Sequence, residues 1–404
     1  MTTLKLSDYK SQRFKHDPFP TYARLREEAP VHSLGTYGTQ SFWLVSRHDD
    51  VLQVLKHPSL SKDVMSTLNA EESTRLPWFT RFFAPLTQMM LSRDPPDHTR
   101  LRSLVHKVFT PRLIEQLRSR VQSLSDELLD AGARKGSMDL VEDFAFQVPV
   151  TIIAEMLGVP ARDHKKFQRW SNRLTSTTSP RDALVSLPSI VMFARYLRQL
   201  IEVRRAAPGQ DLLSALIQAE EAGDRLNREE LISMVFLLLV AGHETTVNLI
   251  SGGTLALLQN PEQLERLRRN PDLIGPAVEE LLRYVSPVEV ATDRIAREDF
   301  EVRGVHIRKG DMVYAGLAAA NRDPLQFKAP DVLDLGRDPN RHVAFGMGIH
   351  YCLGAPLARL EGQIALRALV DRFPRLRLAR PDKALQWRTG LIIRGPRRLP
   401  VALS

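Results

Sequence analysis

The chain has 404 residues, a single cysteine, and 56 basic against 47 acidic residues, a formal charge of +9. One cysteine excludes an intramolecular disulfide framework, zinc ribbons and any cluster held by several thiolates. With 43% hydrophobic and 25% charged residues the composition is that of a globular protein, and the moderate positive surplus selects no partner by itself.

Met1 to Lys10 is broken by polar and charged residues and lacks the apolar core of a signal peptide. The longest apolar run, Met234 to Gly242, is about half of a membrane span. A soluble cytoplasmic protein without a membrane anchor is therefore expected. The 26 prolines and 21 glycines are scattered as element boundaries rather than gathered in a linker, which predicts one domain over residues 1–404.

Pro18 and Pro20 open a helix over 18–29 that Pro30 closes. A short strand is expected at Phe42 to Ser46 and a helix at His48 to Lys56. Residues 58–92 have little periodicity and carry Pro58, Pro77 and Pro85, so they read as a long irregular segment of the kind that is functional or disordered. Apolar residues at helical spacing return at 97–109, 111–133, 140–157, 183–206 and 211–221.

Residues 228–260 form the most informative stretch. Asn227 is an N-cap, and Glu229 and Glu230 lie where the helix dipole favours acids. The pattern runs to Gln259 before Asn260-Pro261 stops it, giving a helix of about 33 residues and about 50 Å. It is apolar nearly all round between Leu231 and Ala241, so it should cross the interior. Helices follow at 261–269 and 272–284. Short strands are expected within 287–318, with a turn at Lys309-Gly310-Asp311. A last helix spans 355–372, and 376–403 reads as β-hairpins. The sum is a mainly α fold with a small β component.

The cysteine sits in Phe345-Gly346-Met347-Gly348-Ile349-His350-Tyr351-Cys352-Leu353-Gly354, just before that last helix. Three glycines in nine residues make a tight loop with little side-chain bulk. Amides near a helix N-terminus would lower the thiol pKa and favour thiolate. Such a thiolate suits a metal ligand or a nucleophile, whereas an isolated cysteine elsewhere is usually a small buried hydrophobe.

The spacing Phe-x-x-Gly-x-His-x-Cys-x-Gly resembles the haem-binding loop of the cytochrome P-450 family, in its soluble bacterial branch. The resemblance runs from Asp17-Pro18 to the C-terminal hairpins. It implies a single cytochrome P-450-type domain holding haem b between the long central helix and the cysteine-loop helix. Cys352 would be the axial ligand of the iron, a ligation that favours O–O cleavage. Phe345, Gly346, Gly354 and Ala241 would line the cofactor.

Three further motifs gain a reading from the same resemblance. Taken alone, Glu280 and Arg283 are a surface i,i+3 pair worth a few tenths of a kcal/mol. In the family such a pair is buried behind the cysteine loop and joined by an arginine, here Arg337. Ala241-Gly242-His243-Glu244-Thr245-Thr246 places a helix-weakening glycine and polar residues inside an apolar helix, which is costly without a purpose. It is similar to the family's oxygen-activation motif: Thr245 would hydrogen-bond dioxygen and an ordered water, and Glu244 would relay protons. Thr246 is the less favoured threonine. His98 and Arg102, i and i+4 on one helix, would meet the haem propionates together with Arg294 and His350.

The implied activity is insertion of one oxygen atom of O2 into a lipophilic small molecule such as a polyketide, terpenoid, steroid or fatty acid. Pocket candidates are Met65, Leu86, Met89, Met90, Leu237, Val240, Ala241, Val288, Val290, Ala291, Leu391 and Ile392, mostly apolar. No flavin or reductase domain is fused, so NAD(P)H would supply electrons indirectly, through a ferredoxin or flavodoxin and its reductase. Arg100, His106, Lys107 and Arg359 could dock such an acidic carrier. A monomer that binds no nucleic acid is expected. A peroxide-driven peroxygenase, a haem sensor or electron carrier, and a cysteine hydrolase are the competing readings. Glu244-Thr245 argues against the first, the substrate groove against the second, and a coloured protein would exclude the third.

Overall fold

The structure, a computed structural model, describes residues 4–63, 89–175, 180–221, 226–381 and 383–404. Most of the irregular segment, with Met65 and Leu86, lies outside the described residues. Contacts group the chain into two bodies: Met1–Ser61, Val121–Phe146 and Thr245–Ser404 form one, and Lys62–Arg120 with Gln147–Glu244 form the other.

The strands are β1 (Val31–Tyr37), β2 (Gln40–Val45), β3 (Leu60–Ser61), β4 (Ser137–Asp139), β5 (Arg294–Ala296), β6 (Phe300–Val302), β7 (Val305–Ile307), β8 (Met312–Ala315), β9 (Arg377–Leu378) and β10 (Pro400–Ala402). All belong to the first body. The main sheet has the order β1-β2-β8-β5-β3, with β2 and β8 parallel and the other neighbours antiparallel. β1 escapes the alternation rule because a bulge at Gly35, with φ +122°, shifts its register. The turn expected at 309–311 precedes β8. Its Asp311 carboxylate accepts from the Ser41 amide (2.9 Å), the Trp43 indole (3.0 Å) and the Arg308 amide (3.1 Å), fastening it to β2.

The helices are α1 (Gln12–His16), α2 (Phe19–Glu28), α3 (His48–Lys56), α4 (Asp97–Val108), α5 (Pro111–Gln116), α6 (Arg118–Lys135), α7 (Gln147–Met156), α8 (His164–Thr175), α9 (Pro180–Ala206), α10 (Leu212–Glu221), α11 (Arg228–Gln259), α12 (Pro261–Arg269), α13 (Ile274–Val285), α14 (Leu317–Ala320) and α15 (Ala355–Arg372). In the first body α12, α13, α15 and the distal half of α11 share a core of Leu249, Leu257, Leu264, Leu267, Val278, Leu281, Leu366 and Val370. In the second, Phe167, Trp170, Phe193, Tyr196 and Phe236 form an aromatic cluster between α8, α9 and α11.

Two helices expected to be continuous are divided. The stretch 111–133 breaks at Leu117, after a short helix with Pro111 at N1 and the Thr110 hydroxyl capping the Leu113 amide at 3.2 Å. The stretch 140–157 opens with a π-helical turn, Leu140–Ala145, capped by Asp139, before α7 begins. Among its described residues the tail holds β9, β10 and isolated bridges in place of regular hairpins, with a buried Trp387 bridged to Pro396.

α11 matches its expected span. Asn227 Oδ1 accepts from the Glu230 amide at 2.9 Å, and Glu230 accepts from the Asn227 amide at 2.8 Å, a reciprocal capping box. It is the one helix among the described residues long and apolar enough to cross a membrane, and 61% of its apolar window is buried inside the protein. Its distal half is packed too closely for side chains on its neighbours. A Cβ at Gly395 would stand 2.0 Å from Asn248 Oδ1. Gly395→Ala should therefore cost about 1–3 kcal/mol in chemical denaturation, and Asn248→Ala should recover most of that loss.

Candidate active site

Cys352 is exposed at the end of its loop, one turn before α15. Its amide donates to the Phe345 carbonyl at 3.0 Å, and the Tyr351 amide donates to the Gly348 carbonyl at 3.0 Å. Gly346 (φ +70°) and Gly348 (φ +77°) take the left-handed conformations this tight path requires. A Cβ at Gly354 would lie 3.9 Å from the sulfur, so nothing larger crowds that side.

Behind the loop lies a network the sequence reading did not assign. Arg359 on α15 donates to both Glu279 carboxylate oxygens, at 2.7 and 2.8 Å, and His342 meets the same carboxylate at 3.1 Å. Burial pushes Glu279 up, but hydrogen bonds from Arg359 and His342 outweigh it and hold it at about 2. The Arg359 guanidinium covers the Phe345 ring at 4.5 Å and reaches the Tyr351 hydroxyl at 3.4 Å. Arg359 is thus a support of the loop. Arg100 is likewise paired, with Glu230.

Glu280, Arg283 and Arg337 come together. Glu280 and Arg283 have fully buried side chains and form a two-point ion pair at 2.7 and 2.8 Å. Arg337 Nε donates to both Glu280 oxygens at 3.1 Å, with further donations from the Asp334 amide (3.0 Å) and Asn340 (3.2 Å). Arg283 also donates to the carbonyls of Asn321, Pro330 and Val332. One helical pair therefore anchors the whole stretch leading to the cysteine loop.

On α11 the residues Leu238, Ala241, Gly242 and Thr245, at i, i+3, i+4 and i+7, form a partly accessible stripe on a helix otherwise mostly buried here. Glu244 is 7% exposed and Thr246 2%. Gly242 does not interrupt the helix; its space is bounded by Ile153. Thr246 faces Glu361 of α15. Burial raises the Glu361 carboxyl to about 8; the nearby Thr246 hydroxyl lowers it only slightly, and neither carboxyl oxygen is in hydrogen-bond geometry with a partner. Glu361 lies among Leu357, Ile364 and Ala365 on the buried face of α15, and that apolar spacing was the signal that could have singled it out.

The remaining candidates are distributed over both bodies. His98 is buried and Arg102 half-buried on α4 in the second body. Burial and the Arg102 charge push the His98 imidazole below its ordinary value. Arg294 is buried and His350 half-buried in the first body, and Arg294 donates to the Thr292 carbonyl at 3.0 Å. Of the pocket candidates, Met90, Leu237, Val290 and Ala291 are buried; Met89, Val240, Val288 and Leu391 are partly buried. Ile392 is exposed, and its carbonyl accepts from the Glu289 and Val290 amides, so it joins the 288–291 strip to the C-terminal turn. Ala291 and Val288 also pack into the sheet core with Val45 and Val313.

This donor set fits a haem. Among the described residues no group of three His, Cys, Asp or Glu side chains could hold a metal. A single accessible thiol in a glycine-rich loop suits a metal whose remaining ligands would come with the cofactor. The cytochrome P-450 family profile matches residues 35–383. The chain belongs to the cytochrome P-450 family. It is 45% identical over 396 residues to the polyketide biosynthesis cytochrome P-450 PksS of Bacillus subtilis (strain 168), covering 97% of each chain. It is 44% identical over 398 residues to the vitamin D(3) 25-hydroxylase of Pseudonocardia autotrophica, covering 98% of this chain and 96% of the relative. The solved structure of PksS superposes with a TM-score of 0.91, covering 98% of this chain and 99% of that one. The protein is accordingly a haem b-dependent monooxygenase that uses O2 and electrons delivered from NAD(P)H through redox partners.

Two consequences follow for stability. Arg283→Ala leaves the Glu280 charge buried and should cost about 3–5 kcal/mol in denaturant titration. Glu361 keeps its proton in the folded state up to about 8, whereas unfolded it loses it near 4.5. Folding stability from this group is present at low pH and falls as pH rises between these values, because the unfolded state then binds fewer protons. Glu361→Gln should remove that decline, read as a flatter melting midpoint from pH 5 to pH 8.

Proposed function

We propose that Cys352 would hold the haem iron through its thiolate, and that the chain oxidises a lipophilic small molecule of the polyketide class. The observation that carries this is the exposed single thiol at the mouth of a glycine-shaped loop, backed by the buried Glu280–Arg283 pair and the half-buried Glu279–Arg359 pair. The named polyketide and vitamin D relatives, at 44–45% identity over nearly the whole chain, support the substrate class.

The haem supplies the site for dioxygen binding and O–O cleavage. This chain's residues supply the rest. Cys352 would hold the iron through its sulfur, and a thiolate there would favour O–O cleavage. His98, Arg102, Arg294 and His350 would serve as partners of the two propionates. Burial and the Arg102 charge disfavour the charged form of His98, which would offer a ring N–H as donor. Glu244 would relay a proton from solvent to the Thr245 hydroxyl, which gives up its own proton as it accepts that one, on the accessible stripe of α11. Thr246, turned toward Glu361, leaves that duty to Thr245. Met89, Met90, Leu237, Val240, Val288, Val290, Ala291, Leu391 and Ile392 are the apolar side chains that would meet a lipophilic substrate. Electrons come from a small acidic carrier such as a ferredoxin or flavodoxin, with exposed His106 and Lys107 among its contacts. The protein works as a cytoplasmic monomer, one functional domain despite its two bodies.

Thr245→Ala should consume reductant at a rate within a few-fold of wild type while product per reductant falls about tenfold or more. Product and reductant are counted together with a saturating ferredoxin system. Unchanged coupling would exclude Thr245 from the proton path.

A further inference from the structure

Two stretches of the first body carry candidate pocket walls: residues 288–291 bring Val288 and Val290, and residues 390–394 bring Leu391 and Ile392. Neither stretch is a regular strand. They meet through one isolated bridge, Val288 to Ile393, and through the Glu289 and Arg394 amides, which donate to the Ile392 and Pro287 carbonyls at 2.7 and 3.1 Å. So short a ladder fixes relative position weakly, and side chains must supply the rest.

Lys15 on α1 supplies it. Its ammonium donates to Glu289 Oε2 and, at 3.2 Å, to the Ile393 carbonyl, so one fully buried cation joins the two stretches. The Tyr22 hydroxyl of α2 donates to the other Glu289 oxygen at 2.8 Å and lies 3.1 Å from the Tyr9 hydroxyl. Burial and the Glu289 charge push Tyr22 well above its ordinary range, so it stays a donor. The chain around Lys15 holds the same turn. The Tyr9 carbonyl accepts from the Gly390 amide at 3.1 Å, and the His16 carbonyl accepts from the Arg394 guanidinium at 3.1 Å. Gln12 exchanges two hydrogen bonds with the Trp387 backbone, both at 2.8 Å. Taking a lysine and a glutamate out of water is costly, and a well-packed apolar pair would hold α1 to the core at least as firmly. What the ion pair adds is direction: it sets one register of α1 against both stretches.

We propose that Lys15 is a positioning residue for the oxidation site: by joining the Glu289 carboxylate to the Ile393 carbonyl it fixes the relative position of the 288–291 and 390–394 stretches, and with it the fit of a bulky substrate against the walls they carry. This rests on the reading of those walls as the substrate pocket. Lys15 touches no substrate; it acts through the pre-organisation of side chains that do.

Spectral titration of the haem-loaded protein with two azoles tests this. Imidazole is too small to depend on the walls, whereas clotrimazole must fit against them. In the double variant Lys15→Met, Glu289→Gln, which leaves no buried charge of the pair unmatched, clotrimazole should bind about tenfold or more weakly, while imidazole stays within about twofold and the carbon-monoxide band of the reduced protein is kept. Unchanged clotrimazole affinity overturns the proposal. Equal weakening of both azoles also overturns it, because the loss is then general to the haem site and not to the walls. If the double variant fails to fold, Tyr22→Phe removes one bond to Glu289 and one hydroxyl only; it should weaken clotrimazole about threefold and imidazole not at all, and no difference between the two azoles overturns the proposal. A wild-type protein without the thiolate carbon-monoxide band fails the underlying reading, and this proposal with it.

Discussion

The buried Glu280 carboxylate is the point on which the proximal half of the site depends. It accepts two hydrogen bonds from Arg283, two from Arg337, one from Asn340 and one from the Asp334 amide, all without solvent. A buried ion pair adds little stability over a well-packed apolar substitute, but removing one partner is expensive. What such a cluster does is fix geometry. Through Arg283 and Arg337 it gathers the carbonyls of residues 321, 328–330 and 332. That stretch leads directly into the cysteine loop, so loop position is set by charge satisfaction rather than by regular secondary structure.

The Glu279–Arg359–His342 network continues the same logic one residue earlier on α13. Adjacent acids on one helix point about 100° apart, so one reaches the connecting stretch and the other reaches α15. Between them they clamp the loop from both ends. Arg359 then serves Phe345 and Tyr351 in place of a partner protein.

What could be read from the amino-acid order was local. The glycine-rich loop, the Glu280–Arg283 spacing and the capped span of α11 each need only a few neighbouring residues to be recognised. One residue that changes the geometry hid β1, whose alternation the Gly35 bulge breaks, and the division of 111–133 at Leu117. The burial of Arg322 and Arg394 was not legible, because it comes from segments far away in sequence and an isolated arginine carries no sign of it. Glu361 was marked only by its place on the apolar face of α15. The pocket candidates are of mixed character for a related reason: Val288 and Ala291 serve the sheet core as well as any wall. The +9 charge has also gained content. Part of it is buried in Lys15, Arg283, Arg322 and Arg394, where it organises the interior and is not offered to a partner.

The central claim is the thiolate ligation by Cys352, and the carbon-monoxide difference spectrum of the reduced, haem-loaded protein tests it most directly. The wild-type protein should show the strongly red-shifted Soret band of a thiolate-ligated haem, and Cys352→Ser should lose that band while still binding haem. A haem-loaded wild-type protein without the band, or a Cys352→Ser protein that keeps it, would contradict the account.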